Sequence, residues 1–320
     1  MGSIFQSVLE VLNTLLKNLQ NGTLELVELA RGGVVLDEVG YVVRKNAPVL
    51  VLWCLFVFVI ARLCCGGRGS RLVKTRANYE HGKVYLHQHV PASGLPSLSP
   101  FCLKLETYLR LAGIPYENVY KRMELGPKGK IPWIEYNGRA MADSGLIIQF
   151  FKEELEIDLN RPLSTTDRAI SRAFVKMLEE NTYWGLVYSR WIENFHVLGP
   201  LFEVGWFMHN VLLRRAAQRL KKMLWAHGMG RHSPKDIHDI TEMDIKAVSE
   251  FLGEKPFVMG QEPTEADATV YGFMAEILWA APQSSDLYVL VTEKCPNIRE
   301  YCVRMTRRYW QDWEGLIDKC

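Results

Sequence analysis

At 320 residues the chain has room for about two domains of ordinary size, and its 48% apolar and 23% charged composition excludes wholesale disorder and collagen-like structure. Thirty-eight Lys and Arg against 36 Asp and Glu leave a formal charge of +2, too balanced for a chain devoted to nucleic acid. Its seven Cys include no Cys-x-x-Cys pair, so neither a zinc ribbon nor a dithiol redox motif is written, and a largely reduced, cytosol-facing chain is expected.

Residues 1–46 form an amphipathic N-terminal segment. Ile4, Val8, Val11, Leu12, Leu15 and Leu19 recur at helical spacing until Gly22 and then Gly32-Gly33 interrupt them. A surface helix and a membrane-surface helix both fit this pattern. The opening Met-Gly does not extend to a myristoylation signal, because Gln6 stands where Ser or Thr is needed.

Residues 47–65 predict a transmembrane helix. Ala47 to Ala61 carry no charge and no polar face, and a core helix would normally show one. Arg62 can snorkel to the headgroups while Leu63, Cys64 and Cys65 complete the span. The segment starts too far along, and lacks a small-residue cleavage site, to be a cleaved signal peptide. Arg62, Arg68, Arg71, Lys74 and Arg76 follow it, against Arg44 and Lys45 before it. The positive-inside bias therefore puts the C-terminal side in the cytosol, giving a single-pass protein whose first partner is the lipid bilayer. Cys64 and Cys65 then sit at the cytosolic face, either as S-palmitoylation candidates or as apolar ends of the span. Residues 66–82 read as a basic linker.

From Lys83 onward the pattern is strand, helix, strand. Residues 83–90 suit a strand, and residues 91–100 a turn-rich loop. A helix over 101–112 follows, with Ser99 as its N-cap, Pro100 at its first position and Gly113 at its end. Residues 116–120 suit a second strand. Ile131-Pro132 leads a third, closed by Asn137-Gly138, a strong hairpin signal. Asp143-Ser144 then caps a helix carrying Leu146, Ile147, Ile148, Phe150 and Phe151. His87 and His89 share one strand face, but no Cys, Asp or Glu stands nearby at ligand spacing, so no metal site is expected.

This order resembles the thioredoxin-like N-terminal domain of glutathione S-transferases. The resemblance implies that Pro132 is cis, that the backbone of Ile131 pairs with the cysteine of glutathione, and that Asp143 and Ser144 hold its γ-glutamyl end. A helix N-terminus with free N–H groups and a hydroxyl is a ready carboxylate site. Residues 164–320 show helical periodicity, with breakers near Gly199-Pro200, Gly228 to Pro234, Pro256 and Pro282. Within them Phe257 to Tyr271 resembles the folding motif of the transferase C-terminal domain, with Thr264 capping and Asp267 reciprocating. The expected fold class is thus α/β plus all-α: a thioredoxin-like domain at 83–158, then a helical domain at 159–320, behind an N-terminal transmembrane helix.

The stretches Pro100–Arg110, Gly129–Asn137, Asp167–Ala173, Glu179–Trp184 and His227–Arg231 are similar to the failed axon connections family. That family is related to metaxins and to nematode cadmium-responsive proteins, and the similarity runs over residues 83 to 313. It implies a membrane-anchored, transferase-shaped protein linked to axon development, without a well-established reaction. Transferase chemistry needs a bound thiol converted to thiolate near the first helix. The sequence there is Ser99-Pro100-Phe101-Cys102, with Ser in place of the first cysteine of a glutaredoxin-like motif. Ser99 is therefore the candidate catalytic residue, with an ordinary N-cap as its other reading, and Cys102 reads as a buried apolar residue.

Two functions of different class follow. One is a scaffold or adaptor with an unidentified protein partner and no nucleic-acid role. The other is a glutathione-dependent transferase or detoxification enzyme of stress or cadmium response, with glutathione its implied co-substrate. A homodimer is an assembly open to either. Arg214, Arg215, Arg219, Lys221 and Lys222 mark a basic helix that reads as a solvated face or as one apposed to anionic lipid. Trp184, Trp191, Trp206 and Trp225 are expected in core or interdomain packing.

Overall fold

The computed structural model describes residues 75–120 and 125–317. The amphipathic segment, the expected span at 47–65 and Cys64-Cys65 lie outside the described residues, and among the described residues no helix is long and apolar enough to cross a membrane. All described residues fall within one compact unit, Ser70–Cys320.

Four strands make the sheet: β1 Val84–Gln88, β2 Tyr116–Tyr120, β3 Trp133–Tyr136 and β4 Arg139–Ala142. Their order is β2-β1-β3-β4, with β1 parallel to β2 and antiparallel to β3, and with β3 and β4 antiparallel. Every residue of β1 is buried, as befits a central strand covered on both faces. Helix α1, Pro100–Leu111, supplies the crossover that two parallel strands require. The β3–β4 hairpin turns on Asn137 at φ 48° and Gly138 at φ 79°, the left-handed pair that a two-residue loop demands. Helix α2, Ser144–Glu154, follows β4 directly. This is the thioredoxin-like arrangement that the motif order predicts.

Residues 75–82, read as the end of a linker, are tied to the sheet. The Arg76 N–H donates to Glu135 at 2.6 Å, its guanidinium lies 4.1 Å over the Tyr85 ring, and the Gly82 N–H donates to Asn137 at 2.8 Å.

The helical part begins with α3, Thr165–Lys176, which runs through a π-helical turn, Met177–Thr182, into α4, Tyr183–Tyr188. A short α5, Leu198–Phe202, contains Gly199-Pro200, so the pair expected to break a helix sits inside one. Next come α6, Arg214–His227, α7, Pro234–Leu252, and α8, Glu265–Ala280. The chain closes with α9, Asp286–Val289, α10, Pro296–Tyr309, and α11, Trp313–Ile317. Helix α8 is buried around nearly its whole circumference and forms the centre of the helical core.

Helix α1 belongs to two cores at once. Leu103 packs with α8 and the helical domain, while Leu105, Tyr108 and Leu109 pack with the sheet and α2. The close approach of α8 depends on Gly272: a Cβ there would lie 2.8 Å from both the Lys104 nitrogen and the Pro100 oxygen. Two charged residues of α1 are fully buried between the layers. Lys104 donates to Glu179 at 2.5 Å. Glu106 accepts from Gln88, Tyr116, Asn118 and Arg110.

Trp184 and Trp191 pack as expected against Val187 and Leu224. Trp206 and Trp225 do not: they are 76% and 60% exposed, so the expectation of packing for these two is corrected. Hydrophobicity alone cannot distinguish a core aromatic from one displayed on a surface helix.

Candidate functional site

The strand register assembles one edge of the thioredoxin-like sheet. Trp133 pairs with His87 on one side and Ala142 on the other. Pro132, before Trp133, and Asp143, after Ala142, therefore come to the same edge, beside the C-terminal end of β1. The Ile131-Pro132 bond is cis, as the resemblance implies.

Asp143 is the N-cap of α2, at φ 87° and ψ 110°. This lies well outside the left-handed basin that Asn or Asp tolerates, so the residue is strained. Its Oδ1 accepts from the N–H groups of Gly145 and Leu146 at 3.1 and 3.2 Å. Its other oxygen lies 3.9 Å from Lys128, an exposed pair of little energetic weight. Ser144 is only 5% exposed and opens the helix. Its hydroxyl has no hydrogen-bond partner among the described residues, and it stands at the positive end of the α2 dipole.

Ser99 holds the N-cap position of α1 in extended backbone, but its side chain makes no capping bond. Its carbonyl instead accepts from the Cys102 and Leu103 N–H groups at 2.9 and 3.0 Å. The Cys102 thiol is fully buried. Burial pushes its pKa up to about 12, against the opposing pull of the Ser99 and Ser97 hydroxyls. Cys102 is thus the inert apolar residue its context suggests.

Sequence reasoning missed the clamp above this turn. Arg190, from the π-helical turn Ser189–Glu193, donates to the Leu98 carbonyl at 3.0 Å and to Glu276 of α8 at 2.5 Å. Burial raises the Glu276 pKa to about 7, although Arg190 pulls it down, and its Oε1 is buried without a partner among the described residues. Beside it Phe101 packs edge-on against Tyr183 and Phe273. The helical domain therefore grips the chain one residue before Ser99. No local pattern announces a pair separated by 86 residues.

His87 is likewise engaged. Its Nε2 lies 2.7 Å from the Glu135 carboxylate, and its ring stacks on Trp133 at 3.6 Å. His87 thus has a hydrogen-bonding carboxylate on the neighbouring strand.

Comparison with known proteins places these features. The glutathione S-transferase N-terminal domain model matches residues 100–196, and the glutathione S-transferase C-terminal domain model matches residues 241–305. "Failed axon connections" of Drosophila melanogaster is 35% identical over 260 residues, covering 76% of this chain and 62% of that protein. The chain thus spans less than two thirds of that relative's length. The isoprene-epoxide–glutathione S-transferase of Rhodococcus sp. (strain AD45) is 28% identical over 248 residues, covering 71% of this chain and 99% of the enzyme. Metaxin-2 of Mus musculus is 23% identical, covering 66% of this chain and 82% of the relative.

Proposed function

We propose, for a chain that belongs to the failed axon connections family of glutathione S-transferase-like proteins, the role of a membrane-anchored adaptor in axon development. In this reading the span at 47–65 tethers it, the transferase-like domain faces the cytosol, and the fold's surface serves a protein partner. A second copy of the chain is one such partner.

The clamp at the first turn of α1 carries the proposal. Where a transferase would activate a thiol, this chain has an interlocked turn in which Ser99 is half-buried. Arg190 holds the Leu98 carbonyl, Phe101 is wedged between Tyr183 and Phe273, and Cys102 is buried and inert. These contacts build stability rather than access.

One observation favours glutathione-dependent transfer as a second reading. The strain at Asp143 (φ 87°) sits beside a hydroxyl at a helix N-terminus, which suits a carboxylate ligand, and strained backbone concentrates at ligand sites. Ser144 and the backbone of Ile131 would hold glutathione, and Ser99 would steady its thiolate. The bacterial isoprene-epoxide relative, similar over nearly its whole length, supports this reading.

Four measurements test these readings. Alkaline carbonate should leave the full chain in the membrane pellet, and release into the supernatant would refute the anchor. A glycosylation tag accepted near Cys320 would reverse the orientation. In neurons lacking the protein, a Ser99→Ala, Ser144→Ala double variant should restore axon growth if the chain is an adaptor. Failure of that rescue, with calorimetric binding of millimolar glutathione to the unmodified chain, would establish the transferase reading instead.

A further inference from the structure

From Val204 through Lys235 the chain contains no Asp or Glu, yet it holds Arg214, Arg215, Arg219, Lys221, Lys222, Arg231 and Lys235. This single-sign stretch is an outer arm of the helical domain. Trp206 and Phe207 open it, a π-helical turn over Met208–Leu213 follows, and α6 completes it. At ~1.5 Å per residue the arm is about 30 Å long.

Its two faces are distinct. Ala217 and Leu224, seven residues apart, are buried, and Leu224 packs with Val187, Met229 and Ile237. The arm is therefore anchored to the domain by its apolar stripe. Arg215, Arg219 and Lys222, at i, i+4 and i+7, run along the opposite stripe and are exposed. Among the described residues none of the five basic residues of α6 forms an ion pair. Bulky apolar side chains share the exposed side: Trp206 is 76%, Phe207 64% and Trp225 60% exposed, with Met208, Leu212 and Met223 also on the surface.

A solvated helix explains the cations but not the exposed aromatics. Nucleic acid would match the charge, but two indoles and a phenyl ring at the ends of the arm, beside exposed methionines, favour a medium with an apolar interior. Rows of unpaired cations flanked by Trp and Phe match one environment well, the boundary between anionic headgroups and acyl chains. We propose that the 206–227 arm is a docking surface for an anionic lipid bilayer, with the basic stripe on the headgroups and Trp206, Phe207 and Trp225 reaching the acyl boundary. The proposal does not require the span at 47–65: a tether holds the domain near any membrane, whereas the arm selects an anionic one and lays the domain against it.

The test uses the full chain with vesicles of phosphatidylcholine, part of it brominated on the acyl chains, with or without 30 mol% phosphatidylserine. Bromine quenches only indoles that reach the acyl region. The fluorescence of the unmodified chain minus that of a Trp206→Phe, Trp225→Phe variant isolates these two residues. Quenching of that difference should appear with phosphatidylserine, fade in high salt, and be absent with phosphatidylcholine alone. Each basic residue near an anionic surface contributes roughly fivefold in partitioning, so Arg215→Glu, Arg219→Glu, Lys222→Glu together should weaken it by at least about a hundredfold. The lipid and salt series on the unmodified chain keeps the test decisive if that variant fails to fold. Equal quenching in both vesicle types, or none in either, would overturn the proposal. So would shielding of the two indoles from aqueous iodide that grows with protein concentration in the absence of lipid, which marks a second copy, or that needs RNA. Failure of the tether appears separately, as release from the pellet by carbonate.

Discussion

Glu276 sits fully buried, and its carboxyl is raised to about 7 by that burial. A carboxyl whose pKa is higher folded than unfolded binds more protons in the folded state, so stability falls as pH rises between about 4.5 and about 7. That component, on the order of 3 kcal/mol at most, should disappear in Glu276→Gln, whose unfolding free energy would be flatter across the same window. Urea titrations at several pH values measure it, and an unchanged pH slope in the variant would refute the assignment. At the other end of the site, Ser144→Ala removes a hydrogen bond to a charged ligand group, worth about 1.5–3 kcal/mol. If glutathione binds, this variant should lose roughly ten- to a hundredfold in affinity, read by calorimetry. Ser99→Ala should instead leave affinity nearly intact and raise the pKa of the bound thiol, read from thiolate absorbance against pH. Asp143 and Ser144 were visible in the sequence because acidic-Ser before an apolar helix is a local signal. Arg190 and Glu276 were not, because burial alone makes them matter and burial is a property of the assembled chain.

Among the elements, α8 shows how far a local motif reaches. The spacing of Thr264 and Asp267 announces a capped helix, and Asp267 does accept from the Thr264 N–H at 2.8 Å and from its hydroxyl at 2.9 Å. It also accepts from the Val258 N–H at 2.8 Å and the Tyr301 hydroxyl at 3.1 Å. Those partners come from a preceding loop and from α10, which no spacing rule reaches. Asp267→Ala should remove the acceptor of two buried N–H groups and two hydroxyls and cost at least about 3 kcal/mol, seen as a lower urea midpoint at unchanged slope. A loss under 1 kcal/mol would mean that the network is dispensable. The strands were legible chiefly from their punctuation, and Asn137-Gly138 fixes the register of β3 and β4 locally. The π-helical turns at 177–182, 189–193 and 208–213 were not, since an inserted residue leaves the 3.6-residue pattern recognisable on either side.

For the molecule as a whole, α1 is the shared part. Gly272 lets α8 lie against its backbone, and Gly272→Ala would force a methyl group to within 2.8 Å of two main-chain atoms that cannot move independently. A cost on the order of 2–3 kcal/mol is expected, with the sheet and the helical domain losing structure in one thermal transition. Separate transitions by near-ultraviolet and far-ultraviolet dichroism would contradict that coupling. The connection between α2 and α3 links the sheet to the helical part within one compact unit. What the sequence could not convey is that the buried Lys104 of α1 finds its carboxylate partner in Glu179 of the helical part, 2.5 Å away. A protease nick in that connection should therefore leave both fragments associated until global unfolding. A fragment ending at residue 158 would expose to water the apolar helix face that packs on the helical core, bait for chaperones and degradation. The halves look modular on paper, but neither can be shuffled, swapped or inherited without the other.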